Sequence, residues 1–255
     1  MRIHQLLFIL LTAASALQAK GDWRTSSTDE GTTKFGRHVR VMAKETDSNE
    51  RAELHLAIFD ARKTSVRVID QPNEPRSDLA SVMARENCLA GVNGGYFDPE
   101  YKPVGLLISG GRTIAPFRRA KLLSGVLSVA NGRVRLQRIS EFSIKGKISE
   151  AVQCGPFLVD HARPVLGLDD SASARRTFVA IGRENAIALG YCSSLSLAQL
   201  SHVLTSGKLT KDLKIERALN LDGGSSSAFW FRDGDEPFSI PERKTVRDFV
   251  GVIAK

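Results

Sequence analysis

The tightest local constraint in this 255-residue chain is Asn131-Gly132, set between two short apolar alternations. Leu127 and Val129 lead in, and Val134 and Leu136 lead out. Asn and Gly tolerate the positive φ that both central positions of a type I′ turn require, so the segment predicts a β-hairpin. The same period of two recurs elsewhere. Leu54, Leu56 and Ile58 alternate with His55, Ala57 and Phe59, and a polar turn at Arg62-Lys63 leads to Val66 and Val68, which predicts a second hairpin. A third runs from Phe178 to Tyr191 around a loop at Gly182 to Asn185, with Val179, Ile181, Ile187 and Leu189 keeping the alternation.

Two helices are expected between the strands. Ser77 can cap one containing Leu79, Val82 and Met83. Ser196 with Gln199 forms a capping-box pattern ahead of Leu197, Leu200 and Leu204, and Gly207 offers a stop. No repeat or Pro-rich linker divides the chain, so the expectation is one α+β domain over residues 37–255, with a mixed, largely antiparallel sheet and a few packed helices. Residues 20–36, rich in Ser, Thr, Gly and charge, read as a flexible lead-in.

The first residues carry a polar start (Arg2, His4), an apolar run from Leu6 to Ala14, and small residues at Ala16 and Ala19. That pattern predicts a signal peptide over residues 1–19, cleaved after residue 16 to 19, and a secreted or periplasmic protein without stable membrane insertion. The net charge is +8, and the basic residues are scattered. No nucleic-acid motif with interleaved aromatics is present, so a solvated basic surface or an anionic substrate is expected and a nucleic-acid partner is not. Cys88, Cys154 and Cys192 have no paired spacing, and neither a metal site nor a disulfide is expected from them.

Four segments concentrate Gly, Asn, Asp and Arg beside apolar strands: Val92 to Asp98 (VNGGYFD), Val152 to Pro156 (VQCGP), Ala174 to Thr177 (ARRT) and Asn220 to Ser227 (NLDGGSSS). Paired glycines let the backbone turn and approach a ligand closely, while flanking Asn and Asp supply donors and acceptors at the end of a strand. Either glycine pair alone is more simply a tight turn.

Together, and in this order, the four resemble the phosphodiester glycosidase family over about residues 50–254, with Val246 to Ile253 similar to the family's last strand. The resemblance implies hydrolysis of a bond between a sugar and a phosphate, with no cofactor and no metal. The substrate would be a sugar phosphodiester or phosphorylated glycan. A phosphate leaves readily, so the main demand is charge stabilisation. Arg175 or Arg176 can grip phosphate oxygens in a fork, only one of them facing the cleft if the strand is regular. Backbone N–H groups of Gly94-Gly95 or Gly223-Gly224, with Gly155 near them, can add hydrogen bonds. Asp222 is the first choice for nucleophile or base, and Asp98 the second, although Asp98 equally suits a turn. Asn93, Gln153 and Asn220 can read hydroxyls, Tyr96 and Phe97 can wall the sugar, and Thr177 and Ser226 can bond phosphate.

Ser225 stands where the family commonly has a third glycine. No G-x-S-x-G elbow is present, His161 and His202 lie in unremarkable contexts, and HExxH, GxxxxGK[ST] and GxGxxG are absent. The alternative from another class is a non-catalytic exported domain that binds anionic or phosphorylated polysaccharide through the same cleft.

Overall fold

The computed structural model describes residues 22–206, 209 and 213–255. The expected signal peptide and the stop at Gly207 lie outside them. In chain order, β1 (Trp23–Thr32) and β2 (Gly36–Glu45) form a hairpin, followed by β3 (Arg51–Asp60), β4 (Thr64–Asp70), the helix α1 (Leu79–Arg85) and β5 (Ala90–Asn93). Then come β6 (Leu107–Ser109), β7 (Arg112–Ala115), β8 (Gly125–Ala130), β9 (Arg133–Arg138) and β10 (Ile148–Cys154). Next are β11 (Phe157–Asp160), β12 (Arg163–Pro164), β13 (Ala174–Gly182), β14 (Ala186–Leu195) and α2 (Leu197–Thr205). β15 (Ile215–Asn220), β16 (Phe229–Phe231), β17 (Phe238–Ile240) and β18 (Asp248–Ala254) complete the chain.

Three sheets result, ordered β1-β2-β3-β14-β13-β15-β11-β12, β7-β6-β10-β8-β9 and β17-β16-β5-β18-β4. The fold is therefore mainly β rather than the expected α+β. The ladders run antiparallel, and the two helices, of seven and nine residues, are too short to make a layer. Where the three sheets meet, Leu127 and Val152 pack with Val179, Leu189 and Leu219 and with Val92, Phe229 and Val250 in one buried cluster. Each helix covers the face of a sheet. Leu79, Val82 and Met83 of α1 pack with Trp230 and Phe249, and Leu200, Val203 and Leu204 of α2 pack with Leu158 and Phe178.

Two expected hairpins form. Asn131 and Gly132 adopt φ of 52° and 72° between β8 and β9, and β13 pairs with β14 around Arg183–Asn185. The expected hairpin from Leu54 to Val68 does not form. A turn closed by Lys63 N–H donating to Asp60 O (3.0 Å) sends β3 and β4 into different sheets, β3 between β2 and β14 and β4 against β18. A polar turn sets the reversal, but the partners of each strand are set by the core around them.

Residues 23–32, expected as part of a flexible lead-in, are strand β1, registered on β2 from Trp23↔Glu45 to Thr32↔Arg37. A backbone ladder orders a polar segment when its neighbour is already anchored, here by Val39, Val41 and Ala43. The first helix is capped by Asp78, which accepts from Ser81 N–H, and not by Ser77, whose N–H is held by Gln71 Oε1 at 3.0 Å. The capping box of Ser196 and Gln199 forms as expected. The three cysteines are buried free thiols.

Candidate active site

The four segments leave their strands at one place. At the end of β5, Asn93 Nδ2 donates to Asp222 O (2.7 Å) and Asn93 Oδ1 accepts from Ala228 N–H (3.1 Å), so one buried amide ties both ends of the loop that follows β15. Asp222 N–H donates to Gly94 O (3.1 Å), and Leu221 N–H to Thr177 O (2.8 Å). Asn220 Nδ2 reaches Gly155 O (3.1 Å), Tyr96 Oη (3.2 Å) and Leu221 O (2.6 Å), while the Tyr96 hydroxyl donates to Gly155 O (2.5 Å). Residues 93–96, 155, 177 and 220–228, distant in sequence, thus share one network of neutral hydrogen bonds.

Asp222 stands at its centre, partly exposed, with Oδ1 accepting from Gly223 N–H at 2.8 Å. Burial raises its pKa above the usual carboxylate range, opposed by the Ser226 hydroxyl, Gly223 N–H and the Lys244 charge. A carboxylate made more basic but still solvent-accessible can attack a carbon centre or take a proton from water.

The two arginines have different tasks. A bulge between Ala174 and Arg176 breaks the alternation expected of a regular strand. Arg175 Nη2 donates to Ser227 O (2.5 Å) and Pro241 O (2.8 Å), and its guanidinium lies 5.3 Å from the Tyr191 ring centre, so it braces the loop. Arg176 donates through Nε to Leu195 O (3.0 Å) and through Nη2 to Ala172 O (2.8 Å). Its Cδ and Nη1 flank Gly223, each 3.9 Å from where a methyl group on that glycine would lie. Arg176 is the arginine whose remaining edge lies beside the Asp222 loop.

Other expected residues are placed differently. Asp98 holds a turn, its Oδ1 accepting from Lys102 N–H at 2.8 Å. Gln153 is wholly committed to backbone: Oε1 accepts from Leu106 and Arg118 N–H (3.0 and 3.1 Å), and Nε2 donates to Arg118 and Leu123 O (2.6 and 3.2 Å). It anchors the loop before β8 rather than reading a ligand. Phe97 stacks on Tyr101 with ring centres 5.1 Å apart. Thr177 and Ser226 are buried within the cluster, and Gly224 takes φ +64° in the turn from Asp222 to Ser226.

Asp248 is the functional neighbour that the sequence reading passed over. It is fully buried, with Oδ1 accepting from Gly95 N–H (3.0 Å) and its backbone O from Gly94 N–H (2.9 Å). Burial, aided by the Asp70 and Asp222 charges, pushes its pKa up to about 7. A methyl group on Gly94 would lie 1.8 Å from its Oδ1, which is why that position is glycine. Its only sequence signal is Arg247-Asp248 inside an otherwise apolar closing strand.

Unpartnered polar atoms gather here. Among the described residues, eight buried side-chain polar atoms have no hydrogen-bond partner, and five are Arg175 Nε, Thr177 Oγ1, Asn220 Oδ1, Ser227 Oγ and Asp248 Oδ2. Each such atom costs about 1–3 kcal/mol, so their concentration marks a site kept for something other than stability. Among the described residues, no group of three or more His, Cys, Asp or Glu side chains is placed to hold a metal ion.

The arrangement has relatives. Over 161 residues the chain is 27% identical to the uncharacterized protein YigE of Escherichia coli, covering 59% of this chain and 61% of that protein, less than two thirds of its length. The catalytic domain of zebrafish N-acetylglucosamine-1-phosphodiester alpha-N-acetylglucosaminidase, auto-inhibited by its pro-peptide, superposes with a TM-score of 0.62 at 13% identity, covering 94% of this chain and 86% of that one. A hypothetical protein from Synechocystis superposes equally well (TM-score 0.62, 15% identity), covering 90% of this chain and 64% of the other. These two likenesses speak for the fold. The profile of the phosphodiester glycosidase family matches residues 86–253, well over half the chain and every one of the four segments, and so the chain belongs to the phosphodiester glycosidase family.

Proposed function

We propose that this protein hydrolyses the glycosidic bond of a sugar 1-phosphodiester, with Asp222 as the carboxylate and Arg176 on the phosphate. Water adds to the anomeric carbon, the bond from that carbon to the phosphate oxygen breaks, and a phosphate monoester leaves with the bonding electron pair. Because that leaving group is already stable as an anion, no strong general acid is needed. Asp222 acts as nucleophile or as the base that activates water, and the Arg176 Nη1 edge offsets charge on the departing phosphate. Arg175, Asn93 and Asp248 act on the loop rather than on the substrate.

The observation that carries this reading is the fixing of the Asp222 backbone by Asn93 and Gly94, with Asp222 half-buried and Arg176 flanking the next residue, Gly223. The N-terminal pattern supports an exported protein, secreted or periplasmic, and the intact mass of exported material should show Met1 removed. The direct test is product release from a panel of sugar 1-phosphodiesters. Turnover by wild type and its loss in Asp222→Asn support the hydrolase. Ligand binding without turnover in the wild type would replace it with a binding module.

A further inference from the structure

The net charge of +8 comes from 36 Lys and Arg against 28 Asp and Glu. Although the basic residues are spread along the chain, the carboxylates are not. Between Tyr101 and Ser140 there are eight Lys and Arg and no Asp or Glu, so this stretch holds the whole net charge and the rest of the chain is balanced. Arg138 pairs with Asp160 at 2.5 Å, and the other seven make no ion pair among the described residues.

The centre of the stretch touches the site. Gln153 grips the backbone of Arg118 on both its N–H and its carbonyl, and a methyl group on Gly155 would lie 2.2 Å from Leu122 O. The loop carrying exposed Arg118, Arg119 and Lys121 therefore packs on the same Gly155 that binds Tyr96 and Asn220. A second loop adds two more exposed cations. Arg243 N–H donates to Ser225 O (2.7 Å), and Lys244 Nζ lies 5.4 Å from the Phe97 ring centre, near enough to Asp222 to oppose the rise of its pKa. Neither makes an ion pair among the described residues.

A single phosphodiester is served by Arg176. Five further cations are exposed on two loops and make no ion pair among the described residues; Asp222 reaches Lys244 only through space, and Asp78 and Glu242 share a pocket with Arg243 and Lys244, so a ligand with several negative charges would complete their neutralisation. Resting on the hydrolase reading above, we infer that the 118–121 and 243–244 loops form a subsite for further anionic groups of the substrate. The substrate class is then a multiply phosphorylated glycan chain rather than an isolated sugar phosphodiester.

Calorimetric titration of the protein with inorganic polyphosphate and with inorganic orthophosphate tests this without needing turnover. The wild type should bind polyphosphate at least about tenfold more tightly than orthophosphate, with affinity falling as salt rises. Arg118→Glu/Arg119→Glu should lose at least about tenfold of that affinity. Arg133→Glu/Arg135→Glu makes the same charge change at the far end of the β8–β9 hairpin and should lose less than about threefold. Circular dichroism establishes that both variants are folded. Asp222→Asn, which removes a negative charge within reach of Lys244, should bind polyphosphate at least as tightly as the wild type, so a failed hydrolase reading and a failed subsite are read separately. Equal losses in the two double variants, or equal affinity for polyphosphate and orthophosphate, would overturn the subsite. A single-stranded oligonucleotide of matched charge binding more tightly than polyphosphate would overturn the glycan class.

Discussion

A surface cleft beside β9 and the Asp222 loop are built from similar residues and treat charge differently. The cleft, about 630 Å³, is lined by residues of β9 and β13 together with Glu141, His161, Glu216 and Arg217. There Arg217 meets Glu141 at 2.5 Å and Asp160 at 3.2 Å, and Arg183 meets Glu216 at 3.6 Å, so most of the wall's charges are paired, Arg135 excepted. Asp160 Oδ1 lacks a well-directed hydrogen bond, yet it lies 3.2 Å from both Arg217 Nε and His161 Nδ1. Around Asp222, arginines bond to carbonyls instead of carboxylates, carboxylates bond to N–H and hydroxyl groups, and five buried polar atoms have no partner. Volume alone is a poor guide to chemistry. The candidate active site is the place where the fold leaves hydrogen-bonding capacity uncompensated.

The sharpest way to break this contrast is a pair of carboxylate-to-amide changes. Asp222→Asn should lower kcat by about 100- to 10,000-fold with the melting temperature little changed, whereas Glu216→Gln in the wide cleft should leave kcat within about twofold. Equal effects in steady-state assays of the two variants would erase the distinction.

Next in size is Gly94→Ala. Its methyl group would enter the space of Asp248 Oδ1, and such overpacking costs about 1–3 kcal/mol, a fall in melting temperature of roughly 2–12 °C for a domain of this size. A calorimetric scan showing no change would mean that Asp248 is not held where the glycine requires it.

The two arginines should then separate. Arg176→Lys keeps the charge but loses the planar fork, and kcat/KM should fall by about tenfold. Arg175→Lys loses bonds to Ser227 O and Pro241 O, and should instead cost about 1–2 kcal/mol of stability, read by urea unfolding. A reversed pattern would exchange their roles.

The last contrast, seen only across a window of pH, belongs to Asp248. Its folded-state pKa, raised to about 7, means that the folded protein binds a proton that the unfolded chain releases near pH 4. The wild type therefore loses stability from this group as pH rises from about 4 to about 7, and Asp248→Asn does not. The melting temperature of the variant relative to wild type should climb across that window, by the equivalent of up to about 4 kcal/mol. A flat difference would show that Asp248 is not held neutral.

Much of the site was legible, because strand ends rich in Gly, Asn and Asp are unusual and four of them in order are more so. Asn93, Tyr96, Arg176, Asn220 and Asp222, named from those segments, lie together in the structure. Gln153 was not legible, since an amide bonded to backbone from residues 106 to 123 looks the same in sequence as one bonded to a sugar. Nor was the bulge that sets Arg175 apart from Arg176. Asp248 was hidden because its role depends on Gly94 and Gly95, more than 150 residues earlier in the chain.

By itself the sequence determined what is local: the Asn131-Gly132 turn, the Ser196 capping box, and strands that must bury alternate residues, because each depends on dihedral preferences and hydrogen bonds within a few positions. Only the tertiary structure decided that β3 and β4 part into different sheets, that the polar β1 is ordered at all, and that Asn93, Gly94 and Asp248 hold the Asp222 loop. Those outcomes rest on packing and hydrogen bonds between segments far apart in the chain, and which of the many possible partners a strand or a buried carboxyl takes is settled by the whole core at once.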